Sequence, residues 1–281
     1  MRFVAPARAV VSEALIDQPV FAGLAAYRDL LLGPEWPSLE QLNARLQPLR
    51  HAATSLPLCL HAQDALEDDD NYEQHIFRHG LIATRTGNWH DLLNALVWAR
   101  FPAIKSALNI GQVEDMTRFG LQQRTRRQCA FTQFDEAGAI VVLHEPALLE
   151  YWDRHDWDGL FRVNGAAWKD GRIQLEVFGH ALYEHALNPA MLLVSKTLVI
   201  LAAQGDDRHG EIDRIIADAI DAGKCLGDPQ QLRPLPLSGI PGWHREPQDA
   251  DFYRDQPCFR PLRAGRRYPA PLAATAAAEH A

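Results

Sequence analysis

Apolar residues recur three and four apart through residues 89–99, where Trp89, Leu92, Leu93, Leu96 and Val97 form one broad stripe with Trp98 on the opposite side. A helix that is apolar on both sides is a buried one. Asn88 is placed to cap it by accepting the amide of Asp91, and Phe101-Pro102 ends it and opens a second helix over residues 102–108. His90, Asp91 and Asn94 are the strongly polar exceptions inside that helix. An unpartnered buried polar group costs about 1–3 kcal/mol, so these three need partners elsewhere in the chain.

The same helical period predicts a helix from residue 39, begun by the capping box Ser38 to Gln41, and another over residues 72–78 closed by Gly80. Further helices are expected at 113–120, from Pro146 to Trp152, from Phe178 to the stop at Asn188-Pro189, at 190–203 as a buried helix, and at 210–222 before Gly223. Residues 56–61 read as a strand. Two hairpins are expected: residues 130–134 with 139–143 around Asp135-Glu136-Ala137-Gly138, and 165–169 with 172–177 around Asp170-Gly171. The acidic run at 67–70 reads as a solvated loop. Prolines then gather with Trp243, Phe252, Tyr253 and Phe259, which predicts an irregular strap over residues 226–268; the low-complexity tail, 269–281, is expected to be disordered. The expected fold is α+β: one mostly helical domain over residues 1–268, with a small antiparallel sheet of hairpins.

The run GNWHDLLNALVWARFPAIKSALN, followed by FTQFDEAG and FGHALYE, resembles domain-of-unknown-function family 3025, a group of uncharacterised, mostly proteobacterial proteins. The likeness spans most of the chain. It implies that these blocks form one unit, and it supplies no reaction.

With 281 residues and 47% hydrophobic content, the chain can bury a substantial core. A formal charge of −8 argues against nucleic acid or an anionic membrane as partner. Four scattered cysteines with no CxxC read as reduced thiols of a cytoplasmic protein. The first fifteen residues include Arg2, Arg8 and Glu13, unlike a signal peptide, and the longest apolar run contains Lys196 and is too short to span a bilayer.

His180 and Glu184 lie four apart and share one face of a largely apolar helix. Should that helix meet the one carrying His90 and Asp91, two imidazoles and two carboxylates converge, a set able to bind a divalent metal or to act as an acid-base pair. Neither the His-Asp dipeptide, repeated at His155-Asp156, nor the His-to-Glu spacing exceeds chance; placement inside apolar helices is what singles them out. Arg85 can neutralise Asp91 or bind an anion beside it, and Asn94, Arg124 and Arg126 are further candidates for holding a small anionic substrate. Asp135 and Glu136 could form a catalytic or metal pair but read first as turn acids, and Lys196 as a lone lysine in a buried helix. No P-loop, GxGxxG, GxSxG or HExxH is present. The His-Asp doublet is similar to that of HD-type phosphohydrolases, but the rest of their motif is missing. Two functions are therefore expected: a hydrolase acting on a small anionic substrate through His90, Asp91, His180 and Glu184, or a non-catalytic ligand- or protein-binding module.

Overall fold

The computed structural model describes residues 3–46, 49–65, 71–203, 211–246 and 248–273; the acidic run at 67–70 and the end of the tail, 274–281, lie outside them. Helix α1 (Leu39–Leu46) starts as its capping box predicts: the Ser38 amide donates to Gln41 Oε1 at 2.8 Å, and the Gln41 amide to Ser38 Oγ at 3.2 Å. It packs on a parallel pair, β1 (Cys59–Ala62) and β2 (Leu81–Thr84), in which Leu60 faces Ile82. Parallel strands need a crossover, and α2 (Tyr72–His79) lies between these two in the chain. Gly80 closes α2 with φ 70°, and a Cβ there would meet the Pro57 carbonyl oxygen at 2.3 Å, so both conformation and space require glycine.

Helix α3 (Trp89–Arg100) is the buried helix expected, with Trp89, Leu93, Leu96, Val97 and Trp98 at most 4% exposed. Asn88 Oδ1 accepts the Asp91 amide at 3.1 Å. After Phe101 comes α4 (Pro102–Phe119), one helix where two shorter ones were expected. Gly111 does not break it, because the Phe131 ring occupies the space a side chain would take; a Cβ would lie 2.4 Å from its Cε2.

The first expected hairpin is absent. Residues 126–137 form α5 (Arg126–Ala137), whose start is fixed by a capping box: the Gln128 amide donates to Thr125 Oγ1 at 3.0 Å, and the Thr125 amide to Gln128 Oε1 at 2.9 Å. Strand β3 (Gly138–Leu143) follows without a turn, and Gly138 has an ordinary φ of −70°. After α6 (Leu148–Asp153), the second hairpin also fails, since 165–169 form α7 (Gly165–Lys169) and only 173–177 are a strand, β4 (Ile173–Val177). Helix α8 (His180–Ala186) follows directly.

Residues 190–203 are likewise not a helix but contain β5 (Val194–Leu201). Val194, Thr197, Val199 and Ile200 are β-branched, and an apolar run of this length does not by itself separate a buried strand from a buried helix. Further along the chain come α9 (Ile212–Asp221), β6 (Arg233–Pro236), α10 (Ala250–Asp255) and β7 (Leu272–Ala273).

The larger sheet runs β4-β3-β5-β6, with β7 also on β5. It is mixed: β3 is antiparallel to β4 and parallel to β5, with Val141 facing Leu175 on one side and Val199 on the other. β3 is buried at every position, as a strand flanked on both edges and covered on both faces must be. The fold is α+β, and its sheets are not built from hairpins. The strap is less irregular than expected, since it supplies β6 and α10; Phe252, Tyr253 and Phe259 are buried, the last two beside Phe161 at centroid distances of 5.9 and 6.3 Å. Residues 272–273 of the tail pair with β5. All four cysteines are free thiols, and no helix among the described residues is long and apolar enough to cross a membrane.

Candidate functional site

Two glycines press the elements of the site together. A Cβ on Gly179, the residue before α8, would lie 2.4 Å from the Gly138 nitrogen and 2.5 Å from the Glu136 carbonyl oxygen. The Phe178 and Gly179 amides both donate to the Gly138 carbonyl, at 3.0 and 2.8 Å, and the Phe134 and Phe178 rings stack below at 4.7 Å. The first turn of α8 is thereby held against the last turn of α5. That juxtaposition sets His180 beside Asp135 and Glu136.

Helix α3 completes the group, because its first turn faces α8. His90 Nδ1 lies 2.9 Å from Glu184 Oε2, and the Nε2 atoms of His90 and His180 face each other at 3.0 Å. Glu136 Oε2 is 3.6 Å from His180 Nε2, and one ligand atom from each of His90, Glu136 and His180 falls within 4.8 Å of the others. On the far side of the second ring, His180 Nδ1 is buried with no hydrogen bond among the described residues; Asp135 Oδ2 is 3.9 Å away. Each imidazole thus turns Nε2 toward its partner ring, with a carboxylate on the Nδ1 side.

Beyond this cluster lies Lys105 of α4. Its side chain is 4% exposed, and its Nζ donates to Asp135 Oδ1 at 2.6 Å and Asn94 Oδ1 at 2.9 Å, above the Trp98 ring at 5.2 Å. Asp135 therefore links the buried cation to His180. Lys105, Asn94, Trp98 and Arg124 line a cavity of about 570 Å³ that has His90, Glu136 and His180 on its wall. Arg124 makes no salt bridge among the described residues, but Glu73 on the same wall feels its charge, which acts against the burial that raises the Glu73 pKa.

Charge follows from these contacts. The hydrogen bond to Glu184 outweighs burial and raises the His90 pKa, whereas burial pushes His180 down to about 4. Burial raises Glu136. For Asp135, burial acts upward, but Lys105 and His180 more than reverse it and hold the carboxyl below its ordinary value.

Of the residues singled out from the sequence, His90, His180 and Glu184 come together. Asp91 does not join them: its carboxylate is taken by Arg85, whose backbone amide and Nε donate to Oδ2 at 2.6 and 2.9 Å while Nη2 donates to Oδ1 at 2.8 Å. Both belong to the cavity wall, but as a closed pair. Asn94 is on the wall, bonded to Tyr72 and Lys105. Arg124 is there too. Arg126 is not, because its guanidinium forms a surface pair with Asp228 at 2.8 Å. Glu184 stands behind His90 instead of beside it. From the sequence, Asp135 and Glu136 are a candidate catalytic or metal pair that the expected hairpin at 130–143 sets aside as turn acids; the Thr125-to-Gln128 capping box turns both onto a helix end instead. Lys196 lies on β5, between Gly138 of β3 and Pro234 of β6, and the charges that act on it are those of Arg266 and Arg263.

The comparisons with known proteins agree with the sequence blocks. Residues 59–263 match the family described as protein of unknown function (DUF3025), and the chain belongs to that family. No curated protein and no solved structure matches it.

Proposed function

We propose that the protein is a metal-dependent hydrolase acting on a small anionic substrate, with His90, His180 and Glu136 holding a divalent ion. The observation that carries this reading is the pair of Nε2 atoms 3.0 Å apart with the Glu136 carboxylate in reach. Two nitrogens on a tetrahedral zinc at about 2.0–2.1 Å are about 3.3–3.4 Å apart, so a shift of a few tenths of an ångström admits the ion. Two histidines and one glutamate are a donor set of catalytic zinc, which leaves a fourth position for water and lowers that water's pKa to about 7.

The residues behind the ligands support the same reading. A metal-bound histidine usually gives its other ring N–H to a carboxylate or carbonyl, which fixes the tautomer and aims the lone pair; Glu184 has that place for His90, and Asp135 faces the same edge of His180. Arg124 would receive the anionic part of the substrate across the cavity, while Lys105, paired with Asp135, would hold that carboxylate beside His180. Asp91 and Arg85, locked to each other, would shape the wall. A non-catalytic reading has one observation in its favour: 3.0 Å is also a good N–H···N distance between a donor imidazole and an acceptor one.

Metal analysis with activity separates the two. Protein purified without added metal, and after dialysis against zinc, is assayed for bound ion and for hydrolysis of phosphate and carboxylate ester panels. The proposal expects one ion per chain and an activity abolished by chelator and by Glu136→Gln. A folded protein that binds no ion leaves the imidazole pair as a structural hydrogen bond.

A further inference from the structure

His90 and Glu136 form part of the wall of two cavities. One is the polar cavity already described. The other, of about 540 Å³, lies across the cluster, bounded by Glu184 and His185 and walled by Ala181, Leu192, Leu193 and Val194. These four side chains are partly exposed, and of them only Leu193 packs against the core. A polar, hydrogen-bonding chamber, in which Arg85 and Lys105 are paired with Asp91 and Asp135 and Arg124 makes no salt bridge among the described residues, therefore meets a largely apolar groove at the proposed ligands themselves. We infer that the substrate is an ester or amide joining an apolar acyl chain to a polar, anionic head, with the acyl chain in the Leu192–Val194 groove, the head toward Arg124, and the bond to be cleaved at the His90–Glu136 junction.

This rests on the proposed hydrolase and specifies its substrate. Water's oxygen bonds to the acyl carbon and the acyl C–O or C–N bond breaks; the leaving alcohol or amine takes one proton of the water, the other is released, and the chain departs as a carboxylate. The groove is the right occupant's match on two counts. Away from the cluster and from Glu184 and His185 its wall is aliphatic, whereas charged side chains stand around the first cavity, and it is continuous with the cluster through His90 and Glu136. A product carboxylate would sit at the ion with its chain along the groove.

The test uses the product class as probe. Acetate, butanoate and octanoate are titrated calorimetrically into zinc-dialysed and metal-free full-length protein, wild type and Leu192→Asp, with a zinc titration of each to show that the variant is intact. Affinity in the zinc-dialysed wild type should rise on the order of twofold per methylene, which is half the free energy of full burial because the groove is open to solvent. Leu192→Asp should flatten that rise and leave zinc binding unchanged. The same chain-length gain without zinc, still lost in the variant, upholds the groove as an acyl subsite while removing the metal centre from the account. Zinc binding with equal affinity for all three acids, or a gain that survives Leu192→Asp, overturns the inference and leaves the metal centre untouched. Absence of both zinc binding and chain-length gain overturns it as well.

Discussion

His90 and His180, ninety residues apart in sequence, turn their Nε2 atoms toward each other at 3.0 Å while Glu184 holds the Nδ1 of the first at 2.9 Å. Glu184 thus acts through His90 and need not touch an ion. Replacing a carboxylate that orients a metal-bound histidine costs about 10- to 100-fold in metal affinity. Glu184→Gln should weaken zinc binding by that factor in a competition titration, with circular dichroism unchanged. A loss as complete as that of His90→Ala would instead make Glu184 a ligand.

Protonation of His90 sets a pH dependence with a definite sign. Its pKa is raised, so the contact with Glu184 stabilises the metal-free protein fully below the unfolded value near 6.5 and is lost as pH rises through the higher folded value. An ion at Nε2 must displace that nitrogen's proton and leave the Nδ1–H on Glu184. Apparent zinc affinity should therefore climb about tenfold per pH unit below the raised His90 pKa and level off above it, with one proton released per ion in that window. His180, at about 4, is already neutral there and adds no second proton. Calorimetry in buffers of different ionisation enthalpy counts the protons; a count of zero across the window contradicts the assignment.

Asp91 and Arg85 should behave as architecture. Asp91→Ala removes the acceptor of three Arg85 hydrogen bonds and should lower the melting temperature. Zinc affinity should stay within about twofold of wild type, because the carboxylate faces the guanidinium and not the imidazoles. A parallel loss of zinc binding would restore Asp91 to the ligand set.

Lys105 is nearly buried, and Asp135 is its counter-charge. Lys105→Met should destabilise the protein by about 2–3 kcal/mol, below the roughly 3–5 of a fully buried pair because Asp135 is partly exposed. Adding Asp135→Asn should recover much of that loss, since the stranded charge is gone. Chemical denaturation of the two single variants and the double one measures the coupling. An unchanged midpoint for Lys105→Met would mean that the pair contributes nothing.

The Gly138–Gly179 contact positions α8 against α5, and it leaves no room for a side chain at 179. Gly179→Ala should cost about 1–3 kcal/mol by overpacking and weaken zinc binding as His180 moves from Glu136. Thermal unfolding and a zinc titration read the two effects. Normal stability with normal binding would show that the glycine contact does not position the site.

How much of this was legible follows from which signals are local. Asn88 and Pro102 bracket α3 in the sequence itself, and the cost of burying His90 forecast a partner that proved to be Glu184 and His180. The place of Glu136 beside His180 was hidden by β-rich residues at 130–134 that outweighed the capping box at Thr125; the strand at 194–201 was hidden because a short apolar run carries no period that decides its class. Nothing local marks Lys105. Its partner Asp135 is thirty residues away, and only the packing of α4 on α5 brings them together.

Equilibrium zinc binding by the purified wild-type chain beside His90→Ala, His180→Ala and Glu136→Gln tests the metal centre most directly. The account predicts one tightly bound ion per wild-type chain and affinity reduced at least about 100-fold in each folded variant. Wild-type protein that takes up no zinc, or variants that bind it as well as wild type, would contradict it.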